Sequence, residues 1–331
     1  MAKWMKIQRN LAKVVSLWFC AAVMPAHAVN VSVSIPPLAG MIAPLLDKDD
    51  RLTVLLEPGV SPHGFQLKPS HLFTLQNSDL IVSVGTPVDS WLHKAAQRYP
   101  EANVAMAQLQ AVEKLPVREG GVWQHKHHER HEDEGAGNHA DAHDHAGHGH
   151  AVLHFDGHLW MSPNNARALI LAVSEKLQRL KTQQAGSIQA RTQAWLAHLE
   201  QTDVQLMQQL QPYRQAPYLV LHDAYQYFEK HYHLNGVGSI TLNPEITPSL
   251  KRVQNLRRAM TEGEVRCVFK EPQFPEKRVS AVVSGLNVRI GNLDPMGVYD
   301  AAGQRVEVVY RPYDEWLLQL GAAFESCLKP E

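Results

Sequence analysis

The apolar positions of residues 29–161 follow two alternating spacings. Four short aliphatic runs, each closed by proline, glycine or polar residues, predict β-strands. Between these runs, apolar residues recur every three or four positions, which predicts short helices. Alternation of this kind is typical of a parallel sheet built from βα units, so we expect an α/β lobe. The predicted strands are 31–35, 52–56, 80–84 and 103–105, and the predicted helices are 38–46, 70–76 and 91–98.

A much longer helical pattern occupies residues 162–212. Ser162 and Pro163 form a start signal, an N-cap followed by a proline in the first turn. Apolar residues then keep helical spacing up to Pro212. A continuous helix of about 48 residues would be roughly 70 Å long, which is too long for one small domain. We therefore expect this connector either to bridge two lobes as a rigid spine or to fold into two helices at Gly186.

The alternating pattern returns after the connector, where we predict a second α/β lobe over residues 213–331. The chain is thus predicted to have two lobes with parallel sheets, 29–161 and 213–331, on either side of the connector 162–212. The strands predicted in the second lobe are 218–221, 239–242, 266–269 and 288–290, and the helices are 222–231, 250–262, 278–286 and 313–326.

The first 28 residues have a different pattern. Four basic residues precede the apolar run 14–23, and a small-residue cleavage site ends at Ala28. This order is typical of a secretory signal peptide, which predicts cleavage after Ala28 and an exported mature chain. The run is too short to span a bilayer. Because exported proteins can form disulfides, the two cysteines of the mature chain, Cys267 and Cys327, are predicted to form one.

Composition narrows the classes of function. The chain has 331 residues, enough for about two ordinary domains. Its 32 basic and 33 acidic residues leave a formal net charge of -1. A balanced charge gives no general reason to expect nucleic-acid binding.

Residues 124–150 form a His-rich segment that also contains acidic residues, glycine and alanine. Its composition offers little apolar surface to offset the entropy of ordering, so we expect a mobile loop outside the core. Neutral imidazole is the commonest metal-binding side chain, and His-rich tracts are typical of metal binders. A solvated insertion without a role is the alternative. Its histidines are His125, His127, His128, His131, His139, His143, His145, His148 and His150.

Four further potential ligands stand at comparable places in the two lobes. His63 and Asp294 follow predicted strands, and His222 lies at the end of one. His158 lies just before the connector. Ligands of open α/β sheets bind beyond the carboxyl ends of the strands, so a cleft between the lobes would gather these side chains. A single histidine at a strand end is more often structural, but three of them beside a His-rich segment favour metal binding.

Six motifs along the mature chain carry a resemblance to a known family: SPHGF at 61–65, GHLWMSP at 157–163, LHDAY at 221–225, NPE at 243–245, FKEPQF at 269–274 and LDPMG at 293–297. In this order they resemble the ZnuA-type zinc-binding proteins of bacterial ABC importers, in the cluster A-I, or TroA-like, solute-binding family. The resemblance implies two α/β lobes joined by one long rigid helix, with the metal in the cleft between them. It also implies a His-rich loop in the first lobe and a disulfide in the second.

The same resemblance implies that His63, His158 and His222 are metal ligands. The fourth position departs from the family, because some zinc-binding members place a glutamate directly before the first histidine, where this chain has Pro62. Manganese-binding relatives use an aspartate that matches Asp294, and they carry glutamate in place of the third histidine. Asp294 or a water is therefore expected to complete the site. Three imidazoles suit tetrahedral Zn²⁺, whereas Mn²⁺ prefers ligands richer in oxygen.

These observations predict a periplasmic receptor that captures Zn²⁺, performs no reaction and hands the ion to the membrane permease of an ABC transporter. We expect a monomer, and periplasmic zinc chaperones are a further class of partner that the resemblance allows. Three alternatives stay open: a manganese receptor of the same fold, a periplasmic zinc buffer, and a zinc hydrolase. The chain has no HExxH pair and no nucleophile motif that would favour a zinc hydrolase. Glu229 and Glu271 are candidates for a supporting role, although ordinary salt bridges are the commoner role.

Overall fold

The computed structural model describes residues 28–118, 122–123, 155–241, 244–298 and 309–330. Nearly all of the predicted signal peptide and the whole His-rich segment, 124–150, lie outside the described residues. Those described form two parallel sheets of four strands each, with helices packed against them. The α/β fold predicted from the sequence is confirmed.

The first sheet follows the chain from residue 30 to residue 105. Its strands are parallel throughout, in the order β2-β1-β3-β4, so their carboxyl ends meet at one edge. β3 is buried along its whole length, which is expected for an aliphatic run inside a parallel sheet. The strands are β1 (Asn30–Val33), β2 (Arg51–Val54), β3 (Leu80–Ser83) and β4 (Asn103–Ala105), and the helices are α1 (Pro36–Ile42), α2 (Pro69–Gln76) and α3 (Ser90–Ala96).

The connector consists of two packed helices, α4 (Pro163–Leu180) and α5 (Ala185–Leu210). The Ser162 hydroxyl caps α4, as predicted, by accepting a hydrogen bond from a backbone N–H in the first turn. The helical path breaks at Lys181 (φ -123°, ψ 61°), earlier than the expected bend at Gly186, and the buried Lys181 ammonium pairs there with Asp50 of the first lobe at 2.8 Å. α5 is the long helix of the fold, at about 39 Å.

The second sheet repeats the topology of the first, with parallel strands in the order β6-β5-β7-β8. Most of its elements lie within one or two residues of the predicted bounds. β6 begins three residues earlier than predicted, α6 begins four residues later, and α8 ends three residues earlier. The strands are β5 (Tyr218–His222), β6 (Gly236–Thr241), β7 (Cys267–Lys270) and β8 (Arg289–Asn292), and the helices are α6 (Gln226–Tyr232), α7 (Leu250–Glu262), α8 (Lys277–Val283) and α9 (Tyr313–Leu328).

One hydrophobic core runs through both lobes. It includes Leu38 of α1, Leu206 of α5 and Phe324 of α9, all of them fully buried. The indole N–H of Trp160 donates to the Pro295 carbonyl at 3.0 Å, which joins the segment before α4 to the second lobe. The lobes are therefore in direct contact beside the cleft that they form.

The predicted disulfide between Cys267 and Cys327 is present and joins β7 to α9, 60 positions later. Both cysteines are buried. Among the described residues, no helix combines the length and the apolar character needed to cross a membrane.

Candidate metal centre

Three histidines reach the cleft from three different local structures. His63 lies in a one-turn helix, Pro62–Gly64, which Ser61 caps by accepting the His63 backbone N–H at 3.3 Å. His158 lies directly before the short helix that leads into α4. His222 is the last residue of β5. The ligand positions predicted at the ends of strands and before the connector therefore bring these side chains together.

The three imidazoles form one tight cluster. One ring nitrogen from each of His63, His158 and His222 lies within 4.8 Å of the corresponding nitrogens of the other two. The ring centroids are 5.5, 5.3 and 5.2 Å apart. In the part of the chain that the structure describes, this is the one group of three or more such side chains that could hold a metal ion.

A carboxylate orients each of the two buried histidines. Asp156 lies 2.7 Å from Nδ1 of His158, and Glu271 lies 2.6 Å from Nδ1 of His222. Each Nδ1–H donates to its carboxylate, which leaves the Nε2 lone pair free for a metal. Carboxylates that fix the ring and tautomer of a ligating histidine are the usual outer partners of protein metal sites.

The spacing of the two Nε2 atoms matches a tetrahedral ion. Nε2 of His158 and Nε2 of His222 are 3.3 Å apart. When both rings are neutral with the proton on Nδ1, neither Nε2 donates to the other, and both lone pairs are open to a metal. Two nitrogens bound to one tetrahedral ion at about 2.0–2.1 Å would stand about 3.3–3.4 Å apart. The volume open to a water-sized sphere in the cleft is about 10 Å³, close to the room that one water needs.

The electrostatic surroundings differ among the three histidines. His63 keeps part of its surface exposed, yet its metal-binding edge faces the other rings inside the cleft. Desolvation there lowers the pKa of His63 well below its usual value, and His222 and His158 lower it further. For His222, burial lowers the pKa, but the Glu271 carboxylate outweighs burial and raises it. A proton therefore competes with a metal more strongly at His222 than at His63.

Asp294, the fourth expected ligand, is not a member of the cluster. It lies in the loop after β8 and is buried. Its Oδ1 accepts hydrogen bonds from the Gln273 side chain at 2.5 Å and from the Met296 backbone at 2.8 Å. Pro295 and Met296, its neighbours in sequence, line the cleft. A ligand role for Asp294 stays a prediction.

Some of the groups around the site were missed by the sequence reasoning. Asp156 lies two positions before His158, and nothing in its sequence context distinguished it from other surface aspartates. Glu271 was weighed as a supporting residue, but a salt bridge with a basic side chain was the commoner expectation. The histidines predicted as an accessory metal site, within 124–150, lie outside the described residues.

The chain matches a family model described as "ZnuA: Zinc-uptake complex component A periplasmic" over residues 31–318. It is 32% identical over 328 residues to the "High-affinity zinc uptake system protein ZnuA" of Yersinia pestis, which covers 99% of this chain and 98% of the relative. A protein of the same name from Brucella abortus is 28% identical over 94% of this chain and 95% of that relative.

Solved structures share the fold. A crystal structure of ZnuA superposes with a TM-score of 0.68 at 22% identity and covers 91% of this chain and 98% of that one. The periplasmic zinc binding protein TroA from Treponema pallidum superposes with a TM-score of 0.69 at 20% identity and covers 92% and 100%.

Proposed function

Because this chain belongs to the ZnuA family of periplasmic zinc-uptake components, we propose that it captures Zn²⁺ in its cleft and delivers the ion to the permease of an ABC importer. The observation that carries the proposal is the convergence of His63, His158 and His222, contributed by both lobes. An ion bound between two lobes can be released when its ligands are drawn apart, which suits a carrier.

The ligand chemistry favours zinc over manganese. Three neutral imidazoles, with one position left for water or the Asp294 carboxylate, make a typical four-coordinate zinc site. Mn²⁺ prefers carboxylate and water oxygens. The 3.3 Å between the Nε2 atoms of His158 and His222 is also the spacing of a small tetrahedral ion.

We propose binding without catalysis. Three histidines and a water also occur in zinc hydrolases, where a nearby carboxylate acts as general base. Here the two carboxylates beside the cluster, Asp156 and Glu271, each accept a hydrogen bond from a ligand imidazole. Both therefore serve to orient ligands. Zinc-loaded protein should show no turnover of ester or peptide substrates above that of a His63→Ala variant.

The periplasmic chain is proposed to begin at Val29, after cleavage behind Ala28. The Val29 backbone nitrogen lies 2.9 Å from the buried Asp50 carboxylate. The positively charged α-amino group that cleavage creates would therefore lie next to a negative charge. We further propose a monomer with lobes 29–161 and 213–331 and the connector 162–212. Mass spectrometry of protein isolated from the periplasm tests the cleavage position.

The test of the binding proposal is competitive titration of chelator-treated mature protein with zinc and manganese. Wild type should hold one tight zinc ion in the cleft and bind manganese far more weakly. His63→Ala should lower the zinc affinity of that site by more than about 100-fold, because loss of a group that only hydrogen-bonds to a ligand already costs about 10- to 100-fold. His93→Ala, at an exposed histidine of α3, is the matched control and should bind as wild type does. A His63→Ala variant with wild-type affinity would defeat the assignment.

Delivery to a permease is tested by genetics. A strain without this chain should grow poorly in zinc-depleted medium and should recover when zinc is added. A periplasmic zinc buffer would leave uptake of radioactive zinc intact at low concentration, whereas loss of a receptor should abolish it.

A further inference from the structure

A strap of residues 115–118 and 122–123 crosses from the first lobe onto the second. The Leu115 N–H donates to the Tyr227 hydroxyl of α6 at 2.9 Å, and that hydroxyl donates to the Asp156 carbonyl at 2.7 Å. The Asp156 N–H in turn donates to the Leu115 carbonyl at 2.8 Å. One hydroxyl of the second lobe thus binds both the strap and the residue that orients His158.

Arg118 carries the ionic part of this crossing. Its guanidinium donates to both oxygens of Asp223, at 2.9 Å to Oδ2, and to Oε2 of Glu229 at 2.6 Å. The other Glu229 oxygen accepts the Tyr218 hydroxyl at 2.9 Å. The ring of Trp123 lies over the guanidinium, 3.5 Å from its carbon to the ring centroid. Two carboxylates of the second lobe and an aromatic ring of the strap therefore enclose one cation.

The second lobe has room for these contacts because two residues of β6 lack a side chain. A β-carbon on Gly236 would lie 2.3 Å from Glu229 Oε1, and one on Gly238 would lie 2.7 Å from the Val122 side chain. The Val122 carbonyl accepts the Ser239 N–H at 3.3 Å, which places the strap against β6. The two glycines of β6 therefore allow the strap to lie close to the second sheet.

The strap is connected to both buried histidines of the site. Asp223, which Arg118 holds at two oxygens, directly follows His222. Asp156, which shares the Tyr227 hydroxyl with Leu115, accepts the Nδ1–H of His158. We propose that Arg118 is a positioning residue of the zinc site, which holds His222 in place relative to His158 and so slows zinc release. This inference rests on the proposed function.

A purely structural role is the rival explanation, because Glu229 is buried and needs a counter-charge. Burial raises the pKa of Glu229, and Arg118 offsets only part of that rise. Removal of Arg118 alone would leave a buried carboxylate without its cation and would destabilise the fold for that reason. The double variant Arg118→Met/Glu229→Gln leaves no buried carboxylate at position 229, and the glutamine oxygen can still accept the Tyr218 hydroxyl. In this variant Asp223 loses its hydrogen bonds from the Arg118 guanidinium.

The experiment measures zinc release from the loaded full-length mature protein into excess chelator by stopped flow, beside the melting temperature of the metal-free protein. The set comprises wild type, the double variant, Arg118→Lys and the control Arg179→Met. Arg179 forms an exposed ion pair with Glu175 on α4, so its loss removes an arginine away from the site. Lysine keeps the charge of Arg118 but cannot bind both Asp223 oxygens as a fork.

We expect the double variant to release zinc about tenfold faster than wild type, the size of coupling typical of residues in one network. Arg118→Lys should fall between the two, and Arg179→Met should match wild type, with little change in metal-free melting temperature in any of them. A double variant that releases zinc at the wild-type rate overturns the inference. Faster zinc release from the double variant that is accompanied by a matching fall in its melting temperature also overturns the inference. Wild type that takes up no zinc would instead overturn the proposed function, and with it this inference.

Discussion

Replacement of Glu271 by glutamine tests how strongly the cleft depends on the groups that orient its ligands. Glu271 is buried, and one of its oxygens lies 2.6 Å from Nδ1 of His222. Glutamine preserves the size of the side chain and can still accept that hydrogen bond, but it carries no charge. The change therefore isolates the electrostatic contribution of the carboxylate to zinc binding.

The magnitude follows from the geometry. The Glu271 charge lies about 6–7 Å from an ion bound to Nε2 of His222 at about 2.0–2.1 Å. Charges of −1 and +2 at that distance attract by about 5 kcal/mol at an effective dielectric of about 20. Proton competition offsets part of this, because Glu271 also raises the pKa of His222 and zinc must displace that proton. We expect a net loss of about 10- to 100-fold in zinc affinity.

The assay is competition with a chromophoric zinc chelator at constant pH. Glu276→Gln is the matched control, since Glu276 is an exposed glutamate of the same lobe that pairs with Lys270 at 2.7 Å. The control should bind zinc as wild type does. The reasoning is refuted if Glu271→Gln binds within about twofold of wild type, or if Glu276→Gln loses as much affinity as Glu271→Gln.

Three further predictions concern other parts of the chain. Loss of the Cys267–Cys327 disulfide, which closes a loop of 60 positions, should lower the free energy of unfolding by about 4 kcal/mol and leave the cleft site in place, as measured by urea denaturation and zinc titration. Deletion of 124–150 should remove weak zinc sites and keep the tight one, as isothermal titration would show. Burial raises the pKa of Asp89 from 3.8 to about 6, although the Val84 and Gly85 N–H groups oppose the shift. Between these values the native state binds more protons than the unfolded chain. The stability of wild type relative to Asp89→Asn should therefore fall by about 2 kcal/mol as the pH rises from 4 to 6, out of a total of about 3 kcal/mol for the whole shift.

Each of these predictions has an outcome that would contradict it. If the reduced protein has the same free energy of unfolding as the oxidised protein, the disulfide does not stabilise the fold. Disappearance of the tight site with 124–150 would make that segment part of the primary site. A constant stability difference between wild type and Asp89→Asn across pH 4 to 7 would show that Asp89 is ionised in the folded state throughout this range.

Local patterns along the chain determined the βα units and the positions of the cleft histidines. Aliphatic runs with β-branched residues predicted β3 and β5 closely, because a strand buried in a parallel sheet needs apolar side chains along most of its length. The ligand sites could be read from the same pattern. A residue that follows a parallel strand lies at the sheet edge where clefts form, and His63 and His222 both lie at such an edge.

Only the tertiary structure decided which distant groups meet. Where the connector breaks, the Lys181 ammonium pairs with Asp50, 131 positions earlier. Glu271 orients His222 across 49 positions, and Arg118 reaches Glu229 across 111. Such ion pairs leave no periodic trace in the sequence, because the side chains become neighbours only when the lobes pack. The sequence alone could therefore determine the strands, the helices and the three histidines, while their orienting partners and the clamp between the lobes depend on the fold.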